Sequence, residues 1–158
     1  MGDYVSPGDT VIDLGCGGGY FAVALAKMVG DNGHVIAMDL QKEMLDITRN
    51  FAAKNGVLDK ITFHLCQAND IAFSDGKVDF ALAFYMVHEV PDRIRFLTQV
   101  ADLLKPTAHL MLIEPTHHVK ASQIEQILNE ANSVGLQLIK PIKLAFSRGM
   151  LLHPTTNG

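Results

Sequence analysis

Basic residues are in short supply: 13 lysines and arginines against 17 aspartates and glutamates leave a net charge of −4. A nucleic-acid partner usually meets a basic face, so this balance speaks against one. Cysteine is scarcer still. Cys16 and Cys66 alone build neither a disulfide framework nor a four-thiolate metal site. No apolar run reaches the roughly 18 residues that span a bilayer. The opening Met1-Gly-Asp-Tyr-Val-Ser has neither the basic patch nor the apolar core of a signal peptide. No internal repeat or low-complexity stretch is present. These absences lead to the expectation of a soluble, cytoplasmic chain without a membrane partner. Its 158 residues, 48% of them apolar, suit a single domain over 1–158 with a sizeable core.

What is present is an alternation. Short, mostly continuous apolar runs recur at Thr10–Leu14, His34–Asp39, Ile61–Cys66, Val78–Phe84 and Ala108–Ile113. Continuous rather than alternating runs are expected of strands covered on both faces. Helical patterns lie between most of them. Tyr20–Val29 is almost wholly apolar, Gln41–Asn55 spaces Met44, Ile47 and Phe51 by three and four, and Ile94, Leu97, Ala101 and Leu104 follow Pro91 on one face. Pro91 suits a first helical turn and Pro106 ends that helical region. Lys120–Ser133 repeats the pattern with Ile124, Ile127, Leu128 and Ala131, and Gly135 suits a C-terminal stop. Asn69–Lys77 is too short for a crossover helix. Gln137–Ile142 and Ser147–His153 read as two strands close in sequence, hence an antiparallel hairpin. The expected fold is α/β: a three-layer, Rossmann-like sandwich on a mostly parallel seven-stranded sheet with a C-terminal antiparallel hairpin.

Four glycines fall within the five positions 15–19, between the first apolar run and the first helix. A strand, a glycine-rich turn and a helix form the place where an open α/β sheet binds a ligand. Bare backbone admits close approach, and the helix N-terminus favours a negative group. Asp39 closes the second strand, where a carboxylate suits a ribose diol. Together these features indicate a ligand containing a nucleoside. The dinucleotide pattern G-x-G-x-x-G fails, because Tyr20 stands where its third glycine should be. The pattern that fits is acid-x-G-x-G-x-G at Asp13, Gly15, Gly17 and Gly19.

This resembles motif I of class I S-adenosylmethionine-dependent methyltransferases, and the likeness runs along the whole chain. Gln67–Ala72 is similar to the family's adenine-binding segment. Val78–Asp92 resembles its fourth strand and following loop, and Leu103–Pro115 its helix, turn and fifth strand. By pattern the nearest branch is that of the short ubiquinone/menaquinone-biosynthesis methyltransferases. The resemblance implies S-adenosylmethionine as cofactor, S-adenosylhomocysteine as product and a small-molecule methyl acceptor. It implies cofactor contacts at Asp13, Gly15, Cys16, Gly17, Gly19, Tyr20, Asp39, Leu40, Asn69, Asp70, Ile71 and Phe84. Within these, Gly15, Gly17 and Gly19 give room to the methionine part, Asp39 holds the ribose and Asp70 the adenine.

A base is needed only if the acceptor must lose a proton. Tyr85, His88 and Glu89 follow the fourth strand, and Glu114, His117 and His118 follow the fifth. His88 is the first candidate because a free imidazole titrates near neutrality, with His117 behind it. A structural tie of the loop is the competing role for His88. No ligand spacing supports a metal. The chain reaches motif I almost at once, where the resembled family carries a helical covering segment. Three expectations stand open there: an acceptor site left open, a truncated product, or a second copy closing the site as a homodimer, the one favoured. Two further readings compete with the enzyme: a non-catalytic S-adenosylmethionine-binding module and an NAD-dependent dehydrogenase.

Overall fold

A computed structural model describes residues 1–155; residues 156–158, the end of the expected domain, lie outside the described residues. The chain alternates as β1 (Thr10–Leu14), α1 (Tyr20–Val29), β2 (His34–Asp39), α2 (Lys42–Lys54), β3 (Ile61–Leu65) and β4 (Val78–Phe84). It continues as α3 (Arg93–Leu103), β5 (Leu104–Pro115), α4 (Ala121–Ser133), β6 (Leu136–Leu144) and β7 (Ser147–Pro154). The sheet order is β3-β2-β1-β4-β5-β7-β6. The first five strands pair in parallel, while β7 runs antiparallel between β5 and β6. The hairpin expected at the end of the sheet is there, with its second strand placed inside its first. No helix links β3 to β4. No helix of the described residues is long and apolar enough to cross a membrane.

The continuous apolar runs are strands buried on both sides. Along β4, Phe80 and Leu82 join the cluster containing Ala22, Leu25 and Ala52, and Ala81 and Ala83 join the one containing Leu97, Val100 and Ile127. Successive side chains point to opposite faces, and here each face has its own layer of helices. Helices α1 and α2 cover one side and α3 and α4 the other.

Four expectations about the helices need correction. Helix α2 buries Leu45, Thr48 and Ala52, while Ile47 is 48% exposed and Met44 and Phe51 are only partly covered. The reason is Thr48, a polar residue with a job inside, which an apolar count passes over. Helix α3 buries Phe96, Leu97, Val100 and Leu103 and leaves Ile94 outside. Pro91 stands ahead of this helix rather than in its first turn. The cap is Asp92, whose carboxylate accepts the Arg95 N–H at 3.0 Å. Finally, α3 stops at Leu103 and passes straight into β5 at Leu104, ahead of Pro106, where the sequence places the end of the helical region. The residue before a proline avoids helical dihedrals, so Lys105 is already strand. The β4–β5 register shifts between Val78 and Phe80 to accommodate this stretch, and Lys105 Nζ reaches Asp79 at 2.7 Å.

Candidate functional site

The parallel strands β1, β2, β3 and β4 end at one edge of the sheet, and a pocket of about 260 Å³ opens there. Gly15 and Gly17 form part of its floor. Met38, Asp39, Leu40, Gln41 and Met44 come from the end of β2 and the start of α2. Cys66, Gln67, Ala68 and Ile71 follow β3, and Phe84, Tyr85, Met86, Glu89, Val90 and Pro91 come from the end of β4 and the loop after it. A topological switch lies beneath it: β1 is followed by β2 on one side and has β4 on the other.

The glycine loop is held from two directions. Asp39 Oδ2 accepts the Gly17 N–H at 2.9 Å, and Asp39 Oδ1 accepts the Gln41 N–H at 2.9 Å. From the other side Thr48 Oγ1 donates to the Gly17 carbonyl at 2.7 Å. The glycines divide the labour. A Cβ on Gly17 would meet nothing within 4 Å, so this backbone is open to a ligand. A Cβ on Gly15 would press on Met86 at 3.2 Å. Gly19, with φ +85°, serves the packing of α2: a Cβ there would lie 2.6 Å from Thr48 Cγ2. Gly19→Ala is therefore expected to cost about 1–3 kcal/mol through left-handed strain and overpacking. Thermal unfolding checks this, and the companion Gly17→Ala is expected to lose less because only its dihedrals object.

Asp13 lies under this loop at 2% exposure, and its Oδ2 has no hydrogen-bond partner among the described residues. Burial pushes its carboxyl up to about 7; a hydrogen bond from the Ala22 amide opposes the shift and the Asp39 charge adds to it. Cys16 is buried in the loop, and burial pushes its thiol up to about 12, a small inert residue rather than a nucleophile.

The expected contact residues separate. Gly15, Gly17, Asp39, Leu40, Ile71 and Phe84 line the pocket. Asp13, Cys16 and Gly19 sit behind its wall. Tyr20 is 72% exposed and touches Phe21 edge-on. Asn69 is exposed, and Asp70 faces a second, shallower cavity with Phe73 and Gln99, where it accepts the Ala72 N–H and lies 3.6 Å from Arg95. His88 turns away from the main pocket: its ring Nδ1 and its backbone N–H both engage Glu114, and the ring lines a cavity of about 30 Å³ against Arg93 and Ile127. Glu114 is fully buried, and desolvation raises its carboxyl against the opposing pull of His88. His117 and His118 are exposed on the turn after β5. The His118 ring lies 4.4 Å from that of His117 and 6.2 Å from that of His88. The three histidines thus come together beside β5, outside the pocket.

Sequence reasoning missed the apolar wall of Met38, Met44, Met86 and Phe96. Its signal was positional, since Met38 precedes a strand end and Met86 follows one. Of the base candidates after the fourth strand, Tyr85 and Glu89 do line the pocket. Tyr85 holds φ +60°, rare for a bulky residue, stacks on Phe84 at 4.1 Å and hydrogen-bonds the Ser147 hydroxyl.

Residues 5–147 match the family model described as "Methyltransferase domain". Over 108 residues, 68% of this chain, it is 31% identical to the ubiquinone/menaquinone biosynthesis C-methyltransferase UbiE of Vibrio campbellii. Over 108 residues it is 35% identical to the 2-phytyl-1,4-naphtoquinone methyltransferase of Synechococcus elongatus. The matched stretches span 42% and 46% of those relatives, so the chain covers under half of their length. Among solved structures, a SAM-dependent methyltransferase from Aquifex aeolicus superposes with a TM-score of 0.85 at 26% identity. That match covers 96% of this chain and 85% of the other. The [4+2]-cyclase SpnF aligns with a TM-score of 0.74 at 19% identity, over 87% of this chain and 55% of that one, a likeness of fold alone.

Proposed function

This chain belongs to the methyltransferase-domain family, and from that premise we propose that it transfers a methyl group from S-adenosylmethionine to a small-molecule acceptor. The observation that carries the reading is Asp39. Its two oxygens each accept one backbone N–H, from Gly17 and Gln41, and it lines the pocket. A carboxylate has about four acceptor positions, so capacity remains for the two hydroxyls of a ribose. The residues present fit the rest of such a cofactor. Gly17 offers uncovered backbone, and Met38, Ile71 and Phe96 offer an apolar slot for a flat base.

When bound, the cofactor supplies a methyl group on a sulfonium, which leaves readily. The chain's own part is then to bind, align and keep water out. The Asp39-braced loop fixes one end of the pocket, and the stacked Phe84 and Tyr85 rings, with Phe21 tilted behind Phe84, wall the other. Alignment of two reactants contributes on the order of 7 kcal/mol or more. The quinone chemistry in the relatives' names supports reduced naphthoquinones as the first acceptors to try.

A second reading has its own support. None of His88, His117 and His118 lines the pocket, as suits a module that binds S-adenosylmethionine without turning it over. Incubation with methyl-labelled S-adenosylmethionine and a panel led by 1,4-naphthohydroquinone separates the two. Label is expected in an acceptor of the panel. Tight cofactor binding with no transfer to any acceptor would favour the binding module, and the homodimer expectation would then give its partner-closed form as the next sample.

A further inference from the structure

Beside the cofactor pocket lies a hydrogen-bonding pair that the reading above does not use. Tyr85, just past β4, lines the pocket and holds a left-handed backbone at φ +60°. Strain of this kind in a bulky residue persists only where the surroundings enforce it, and it gathers at binding sites. Two contacts enforce it here: the Tyr85 N–H donates to the Ile113 carbonyl at 2.8 Å, and the phenol meets the Ser147 hydroxyl. Ser147 opens β7 opposite Pro115 and is 4% exposed.

The direction of that hydrogen bond follows from burial. Each hydroxyl has one proton and two acceptor positions. If Tyr85 donated, the Ser147 proton would be buried, and no other side-chain hydrogen bond of Ser147 forms among the described residues. A buried donor without a partner is costly. The arrangement without that cost has Ser147 donating to Tyr85 Oη, which releases the phenolic O–H of a residue that lines the pocket. Next to this pair the chain presents Phe146, 76% exposed, on a turn fixed by two 3.0 Å hydrogen bonds from Thr116 to the Phe146 carbonyl.

We propose that Tyr85, oriented by Ser147, is the hydrogen-bond donor that positions the methyl acceptor, and that the acceptor therefore carries a carbonyl or anionic oxygen on an apolar ring. The inference rests on the methyltransferase reading, yet its test is separable. The probes are 1-tetralone, which has a ring carbonyl, and tetralin, which has none. Each is titrated calorimetrically into the protein with and without S-adenosylhomocysteine. Wild type is expected to bind 1-tetralone about fivefold more tightly than tetralin, the contribution of one hydrogen bond. Tyr85→Phe is expected to erase that ratio while still binding tetralin and S-adenosylhomocysteine, at a lower thermal midpoint because it leaves the buried Ser147 hydroxyl without a partner. Ser147→Ala is expected to narrow it. Equal affinities in wild type, no binding of either probe, or a ratio that survives Tyr85→Phe would overturn the proposal. Failure of the methyltransferase reading shows separately, as wild type that does not bind S-adenosylhomocysteine.

Discussion

Asp13→Asn is expected to make the protein more stable at pH 8 by up to about 4 kcal/mol, and not at all near pH 4. The cause is the buried carboxyl, raised by desolvation from 3.8 to about 7 with one oxygen unpartnered. Below pH 4 the group is neutral in folded and unfolded chains alike. Between about 4 and 7 the folded protein keeps the proton that the unfolded chain has lost, so stability falls as pH rises. Above 7 the whole penalty is present, about three pH units at 1.36 kcal/mol each. Asparagine is neutral throughout and escapes it. Scanning calorimetry at pH 5 and pH 8 checks this. The wild-type midpoint is expected to drop by on the order of 10 °C relative to the variant's. Parallel midpoints for the two proteins would show that Asp13 is ionised at ordinary cost. Glu114, also raised by burial, tilts the wild-type curve in the same direction, so the difference between the two proteins is the quantity to read.

Asp39→Ala is the second large effect. It removes both braces, at Gly17 N–H and at Gln41 N–H, together with the proposed ribose acceptor. Hydrogen bonds to a charged group contribute about 1.5–3 kcal/mol each. Loss of two ligand contacts therefore lowers S-adenosylhomocysteine affinity by about 100-fold or more, at 1.4 kcal/mol per tenfold. Asp39→Asn is expected to fall between, since its amide keeps one acceptor oxygen. Calorimetric titration of the three proteins gives the order. Equal affinities would mean that Asp39 only braces the loop.

Much of this was legible in the residues. Strands β1, β2 and β4 and helix α1 begin and end where the apolar runs do, because glycines or charged residues bound those runs everywhere but after Phe84. Asp39 and the glycine loop were found because strand, turn, helix and terminal acid are local patterns. What was hidden depends on contacts across the fold. Thr48 is buried because it serves Gly17 and fills the space above Gly19, and no apolar periodicity marks a threonine for such a place. Histidine chemistry suggested His88 as a base, but its direction is set by Glu114, 26 residues away, which turns the ring out of the pocket. The strained dihedral of Tyr85 leaves no trace in sequence, because it is imposed by Ile113 and Ser147.

The most direct single measurement is calorimetric titration of the wild-type protein with S-adenosylhomocysteine, with NADH in parallel. The expected result is micromolar binding of the homocysteine compound, about −8 kcal/mol, and none of NADH. Binding of NADH without S-adenosylhomocysteine, or of neither, would contradict the assignment of the Asp39 pocket to S-adenosylmethionine.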